Sequence, residues 1–238
     1  MFSSANLIKN RKVSNLANFV QIFYMTKKER FTFLINYFLE HRPTAETELV
    51  YTDPYELIVA VILSAQCTDK RVNIITPPFF RKYPDATSLS VAHQDGVFEL
   101  IKSCTYPNNK AKNLIGMAKS LVNDFAGVLP SEVKDLMTIP GVGRKTANVL
   151  ASVIYKKPAM AVDTHVFRVS ARIGLATNAK TPYETEVQLV KYIPAKLIPL
   201  AHHWLILHGR YVCIARNPKC SECGLTSVCK FYQDLRKK

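Results

Sequence analysis

Apolar positions follow a helical rather than an alternating order along most of the chain. The run Leu57-Ile58-Val59-Ala60-Val61-Ile62-Leu63 is apolar on every side. Its residue types suit a strand, but its length and the signals in front of it favour a buried helix. Those signals are Asp53-Pro54-Tyr55-Glu56: an N-cap residue, a proline at the first helical position and a glutamate placed to close a capping box. Thr181-Pro182-Tyr183-Glu184 repeats the combination and predicts a second helix start. Ser131-Glu132-Val133 and Asp163-Thr164-His165 supply the cap without the whole box and predict two weaker starts. No Asn-Gly or Asp-Gly turn joins alternating segments, and Asp95-Gly96 lies in helical surroundings. The chain therefore reads as nearly all α, with no internal repeat and no Gly/Ser linker to mark a boundary.

Composition narrows the partner more than the fold. A chain of 238 residues that is 48% hydrophobic has room for one large domain or two small ones with a proper core. Its 32 Lys and Arg against 18 Asp and Glu give a net charge of +14, which points to a polyanion. Nucleic acid stands ahead of an anionic membrane. The charges are spread through the chain, and no apolar run reaches the ~18 residues of a spanning helix, so a soluble protein without a membrane partner is expected. The first 28 residues hold no Asp or Glu but carry Lys9, Arg11, Lys12, Lys27 and Lys28. No long apolar centre with a small-residue cleavage site follows, which argues against a secretory signal. Residues 1–25 are expected to form a disordered basic arm, or an upstream extension of a chain that starts at Met25. A mitochondrial transit peptide is the minor alternative to a cytoplasmic, nucleoid-associated protein.

The segment with most chemistry is Ile139-Pro140-Gly141-Val142-Gly143-Arg144-Lys145-Thr146-Ala147. Two glycines at the mouth of a helix allow a tight turn with φ > 0, and their N–H groups can converge on a phosphate oxygen. Gly141, Gly143 and Arg144 are accordingly expected to face DNA. Lys145 sits in the first turn, beside the positive end of the helix dipole, where charge is disfavoured and a nucleophilic amine is favoured. A nucleotide-binding P-loop is excluded, because it needs four residues between its glycines and a Gly-Lys-Thr ending. Gly-x-Gly alone is weak evidence, since tight turns before helices are common.

Cys213, Cys220, Cys223 and Cys229 crowd the last 26 residues, with gaps of six, two and five. Four close thiols on a loop-rich terminus, with Pro218 and Gly224 breaking helices, indicate a metal site rather than disulfides. A four-thiolate zinc site pairs two knuckles with two to four residues inside each, so the six-residue gap favours iron-sulfur, with zinc still open. Arg216 and Lys219 lie inside that gap, where a metal-folded loop would hold two cations for phosphate. As isolated features they are equally well two solvated charges. Cys67 and Cys104 stand apart and are expected to be small buried hydrophobes.

Together these parts resemble a known family. Leu63-Ser64-Ala65-Gln66, Pro140 to Val149, Ala161 to Val169 (Ala-Val-Asp-Thr-His-Val-Phe-Arg-Val) and His202 to Arg210 (His-His-Trp-Leu-Ile-Leu-His-Gly-Arg) closely resemble endonuclease III, from about Lys28 to Tyr232. The cysteine spacing matches that family's 4Fe-4S signature. The resemblance implies an all-α helix-hairpin-helix DNA glycosylase. A six-helix barrel domain would span residues 46–158, and a helical iron-sulfur domain would combine 26–45 with 159–238. It implies Lys145 as Schiff-base nucleophile, Asp163 as catalytic carboxylate, and Gln66 as the residue that fills the gap left by a flipped nucleotide. Asp163 is equally a plain N-cap for the following helix, and Gln66 an ordinary helix-end residue. Where the family has a glycine-hydrophobic-tyrosine step, this chain reads Thr105-Tyr106-Pro107, ahead of Asn108 and Lys110. Tyr106 is then the candidate wedge between bases. His165 and Trp204 match the family and are read as packing residues.

The function implied is a bifunctional DNA glycosylase and AP lyase of base excision repair. It would act as a monomer on double-stranded DNA with oxidised pyrimidines or abasic sites. Adenine-mismatch relatives lack the lysine and carry a further C-terminal domain, whereas this chain has Lys145 and nine residues after Cys229. Thymine-mismatch glycosylases differ by pocket shape rather than motif. The alternative from another class is a non-catalytic DNA-binding protein that uses the hairpin as a phosphate clamp.

Overall fold

The computed structural model describes residues 25–237; the expectations for the N-terminal arm fall almost wholly outside them. Among the described residues the regular structure is entirely helical. We number the α-helices in chain order: α1 Lys27–His41, α2 Pro54–Ser64, α3 Asp69–Lys82, α4 Ala86–Ser90, α5 Gln94–Ile101, α6 Pro107–Asp124, α7 Val133–Leu136, α8 Arg144–Tyr155, α9 Thr164–Ile173, α10 Pro182–Tyr192, α11 Ile198–Tyr211 and α12 Lys230–Leu235. None is long and apolar enough to cross a membrane.

The chain forms two compact units. Among the described residues, one comprises 46–161 and 195–202; the other comprises 25–45, 162–194 and 203–237. The boundaries expected from sequence, 46–158 against 26–45 plus 159–238, differ at 159–161 and at 195–202. The buried His202 bonds through Nδ1 to the carbonyl of Ala161 at 2.8 Å, which ties the first turn of α11 to the residues that follow α8.

In the unit built on 46–161, α2 is the central element. All seven residues from Leu57 to Leu63 are buried, as an apolar surface on every side requires. It packs against α3, α6 and α8, and α6 in turn covers α4 and α5. The start of α2 follows its sequence signal with one variation. Asp53 Oδ1 accepts the Glu56 N–H at 2.8 Å and Pro54 opens the helix, but the Glu56 carboxylate accepts from Thr52 N–H at 2.7 Å, one residue before the cap. The same displacement occurs at α10, where Thr181 Oγ1 accepts from Glu184 N–H and Glu184 accepts from Lys180 N–H at 2.7 Å. The start predicted at Ser131 is corrected: α7 begins at Val133 behind Glu132, with no side-chain cap. The Ser131 hydroxyl instead accepts a 3.0 Å bond from Lys157 Nζ, which removes it from the helix.

In the other unit, α1 starts at a complete capping box between Thr26 and Glu29 and turns Phe31, Leu34 and Phe38 inward. Trp204 is buried, lies 5.5 Å from Phe38 in a stacked pair and donates its Nε1–H to Arg42 O at 2.7 Å. It is therefore a packing residue with its one polar atom satisfied. A Cβ at Gly209 would lie 2.9 Å from the His165 Cβ, so glycine is what permits α11 to approach α9 so closely.

Candidate active site and metal centre

The turn before α8 is anchored by the buried side chains of Ile139 and Val142, which leaves the residues around them at the surface. Gly141 has φ +82°, and a Cβ there would stand 2.9 Å from the Cβ of Asn113. Both conformation and space thus require glycine. Gly143 departs from the sequence expectation: its φ is −84° and it serves as the N-cap of α8, with no side-chain bond closing the helix end. The N–H groups of the first turn consequently keep their anion-binding capacity. Arg144 and Lys145 occupy the first two positions of α8 and are exposed, so the Lys145 amine is presented directly at the mouth of this turn.

Asp163 belongs to the other unit. It is the N-cap of α9, and its Oδ1 accepts the Val166 N–H at 2.8 Å. The capping role is therefore real, and it occupies only one carboxylate oxygen.

Gln66 and Tyr106 lie 40 positions apart in the numbering, yet the fold brings their loops together. Thr105 Oγ1 donates to Gln66 O at 2.6 Å. Both Gln66 and Tyr106 have φ of 54°, a left-handed conformation that costs non-glycine residues of order 1–3 kcal/mol; Tyr106 adopts it immediately before a proline, and its ring is 61% exposed. Gln66 is exposed as well. Sequence reasoning overlooked what holds this arrangement. Lys110 is buried on the inward face of α6, and its Nζ donates to Leu63 O and Ala65 O at 2.8 Å each. It satisfies carbonyls at the end of α2 that a helix terminus leaves open. The available signal was a lysine on the same stripe as Ala111, Leu114 and Met117.

Cys213, Cys220, Cys223 and Cys229 are all free thiols that line one cavity of about 340 Å³, counted with its solvent-open part. Leu225 and Val228, both buried, back the loop. Among the described residues no three His, Cys, Asp or Glu converge tightly enough for a single ion. The four thiols share the lining of this one space, and four thiolates are a donor set that an iron-sulfur cluster takes. Burial pushes the Cys223 thiol up to about 11 and raises Cys229 as well. A bound cluster displaces those protons, because the thiolate is the ligand.

Two arginines brace this loop. Arg172 donates to Ile214 O at 2.7 Å and Ala215 O at 2.8 Å, lies 3.5 Å from Cys213 Sγ and stacks on Phe231. Arg168 reaches Cys213 O at 3.2 Å, Gly209 O at 2.8 Å and His165 Nδ1 at 3.2 Å. Neither role was visible in sequence, since both depend on carbonyls more than 40 residues away. Arg216 and Lys219 stand exposed on the same loop, held by the Lys219 N–H bond to Val212 O at 3.0 Å.

Residues 59–195 match the HhH-GPD superfamily of base excision DNA repair proteins, and residues 213–229 match the iron-sulfur binding domain of endonuclease III. Endonuclease III of Rickettsia felis is 45% identical over 82% of this chain and 91% of its own length. That of Bacillus subtilis is 44% identical over 82% and 90%. A solved structure described as a trapped endonuclease III–DNA covalent intermediate superposes with a TM-score of 0.84 at 38% identity, covering 90% of this chain and all of that one. This chain belongs to the endonuclease III family within the HhH-GPD superfamily. It is an enzyme, a DNA glycosylase of base excision repair that binds DNA and carries a 4Fe-4S cluster, and the matched iron-sulfur region, residues 213–229, contains all four C-terminal cysteines.

Proposed function

We propose that the enzyme is bifunctional, removing oxidised pyrimidines and cleaving 3′ to the resulting abasic site by β-elimination. The observation that carries this reading is Lys145, an exposed amine at the second position of α8 behind a turn built to receive phosphate. A similar endonuclease III has been captured as a covalent intermediate with DNA, which requires a nucleophile of this kind.

The damaged base cannot react inside the stack and is flipped out, at an unstacking cost of roughly a few kcal/mol that damage reduces. Gly141, Gly143 and Arg144 grip the phosphate. Gln66 fills the vacated space, and the Tyr106 ring stacks between bases on the opposite side. Lys145 Nζ attacks C1′, the base departs, and the imine that forms acidifies the C2′ proton so that the 3′ phosphate leaves. Asp163, with Oδ1 held by the cap, keeps its second oxygen for the reaction, as the base that accepts a proton or as the carboxylate that stabilises the cationic sugar. The unit on 46–161 is the helix-hairpin-helix barrel; the unit holding the four cysteines is the cluster domain. When bound, the cluster supplies a four-point tie for residues 213–229 and a centre able to exchange electrons. Arg216 and Lys219 position phosphates from that loop. The protein acts as a monomer on damaged duplex DNA, in the cytoplasm at the nucleoid as for bacterial relatives; the transit-peptide alternative rests on residues outside those described.

Asp163→Asn separates the two roles of this side chain. Asparagine caps a helix about as well as aspartate, so thermal stability is expected to stay within about 0.5 kcal/mol while single-turnover base removal falls about 100-fold or more. Equal losses in both would assign Asp163 to capping alone. Replacing Arg216 and Lys219 together by alanine is expected to lower the slope of log binding constant against log salt by nearly 2, at about 0.9 per phosphate contact; an unchanged slope would remove them from the interface.

The functional test is product analysis on duplexes carrying an oxidised pyrimidine, a G·T mismatch, an A·G mismatch or an abasic site. Strand breaks with a 3′ unsaturated aldehyde on the first and last only are expected. Cleavage at an abasic site with base loss from a mismatch alone would favour the mismatch-glycosylase reading.

A further inference from the structure

Cys67 and Cys104 are separated by 37 residues, yet their sulfurs lie 3.7 Å apart. Both are free thiols outside the cluster site. They are not two equivalent buried hydrophobes: Cys104 is 4% exposed, whereas Cys67 is half-buried and open to solvent. Each lies within two residues of a side chain proposed to contact DNA. Cys67 follows Gln66, and Cys104 precedes Thr105-Tyr106. The thiol pair therefore bridges the same two segments, those presenting Gln66 and Tyr106, that the Thr105–Gln66 bond joins.

We propose that Cys67 and Cys104 form a redox modification site, at which a hydroperoxide closes a reversible disulfide that withdraws Gln66 and Tyr106 from DNA. The effect on DNA rests on the functional reading above, but formation of the bond does not.

The half-buried, solvent-accessible Cys67, as its thiolate, attacks the peroxide O–O bond and takes one oxygen, giving a sulfenic acid while the other oxygen leaves as alcohol or water with a proton from solvent. The Cys104 sulfur then attacks the Cys67 sulfur; hydroxide leaves and departs as water with the Cys104 proton. Two thiols lose two electrons in all, and the peroxide gains them. Burial, with the bond to Cys67, raises the Cys104 thiol to about 11 against an opposing pull from Lys110, so Cys104 is assigned the resolving role rather than the peroxide-attacking one. A thiol reductant restores the pair by exchange.

Closing the bond shortens the sulfur separation by roughly 1.7 Å, to about 2.05 Å. Lys110 fixes the end of α2 through two carbonyls, and Cys104 is packed in the core, so neither anchor yields easily. The movement falls on Gln66 and Thr105-Tyr106, of which Gln66 and Tyr106 already hold a strained, positive φ. Displacement of a positioning group by about 1 Å can cost up to 100-fold.

The test treats the intact holoprotein with hydrogen peroxide while the visible bands of the cluster are followed, then maps peptides under non-reducing conditions. It also measures affinity for a duplex holding a non-cleavable abasic-site analogue. The expected result is a Cys67–Cys104 linked peptide pair with the cluster bands intact and affinity lowered on the order of tenfold, all reversed by dithiothreitol. Cys104→Ala and, independently, Cys67→Ser should form no link and keep full affinity after peroxide. Bleaching of the cluster before any link forms would overturn the proposal. A complete link without change in affinity would overturn its effect on the loops. Absence of lyase chemistry in the reduced protein would instead count against the functional reading and leave the mapped disulfide standing.

Discussion

Lys145→Ala is expected to abolish covalent capture on DNA and to lower strand cleavage at an abasic site by about 10³-fold or more, with little change in DNA affinity. The argument rests on position. Lys145 is exposed at the second residue of α8 and fills no part of the core, so its removal should alter stability by no more than about 0.5 kcal/mol. In the proposed function the phosphate grip belongs to Gly141, Gly143 and Arg144, so it is expected to survive the change. Binding and cleavage assays on one abasic duplex, run beside a thermal melt, separate these effects. A variant that binds poorly would show that Lys145 serves as a phosphate contact. Cleavage at the normal rate would mean that another amine performs the attack.

The second large effect is expected from Cys220→Ser. Cys220 is only half-buried, so serine itself disturbs little packing and the change reports on the cluster. Cluster binding is folding free energy for a loop that is otherwise irregular. Residues 213–229 are held by one short 3-10 turn at Cys220–Glu222, by bonds from Arg168 and Arg172 to backbone carbonyls, and by the packing of α12 against α9. Loss of iron is expected to cost roughly 3 kcal/mol, or about 6–12 °C in Tm, and to weaken DNA binding by releasing Arg216 and Lys219 from a fixed loop. Iron content, the visible spectrum and a melting curve check this. Full iron occupancy in Cys220→Ser would remove Cys220 from the ligand set.

Local signals translated well where the physics is local. Asp53 and Thr181 cap their helices as the sequence indicated, and the apolar run 57–63 is a buried helix because a strong start outweighed its β-branched content. Gly141 has the positive φ that was expected, since that conformation has no other cheap occupant. Signals failed where a distant partner intervened. Ser131 is bound by Lys157 rather than capping α7, and Gly143 is a cap with ordinary φ. Pro77 and Pro78 lie inside α3, although two residues without an N–H ordinarily end a helix. The strained loops at Gln66 and Tyr106 depend on Lys110 and Thr105, and the cluster loop depends on Arg168 and Arg172; each of these contacts spans about 40 residues or more. No short window of sequence contains such a pair. The exposed lysine after the Gly141 turn, the Asp163 cap and the four thiols on one cavity were legible because each lies within one short segment.

The most direct measurement of the central claim is borohydride trapping of the protein on duplex DNA containing either an oxidised pyrimidine or an abasic site, with Lys145→Ala alongside. Reduction of the imine should give a covalent protein–DNA adduct on both substrates, mapped to the peptide that contains Lys145 and missing from the variant. Firm binding to both duplexes with no adduct on either would contradict the account.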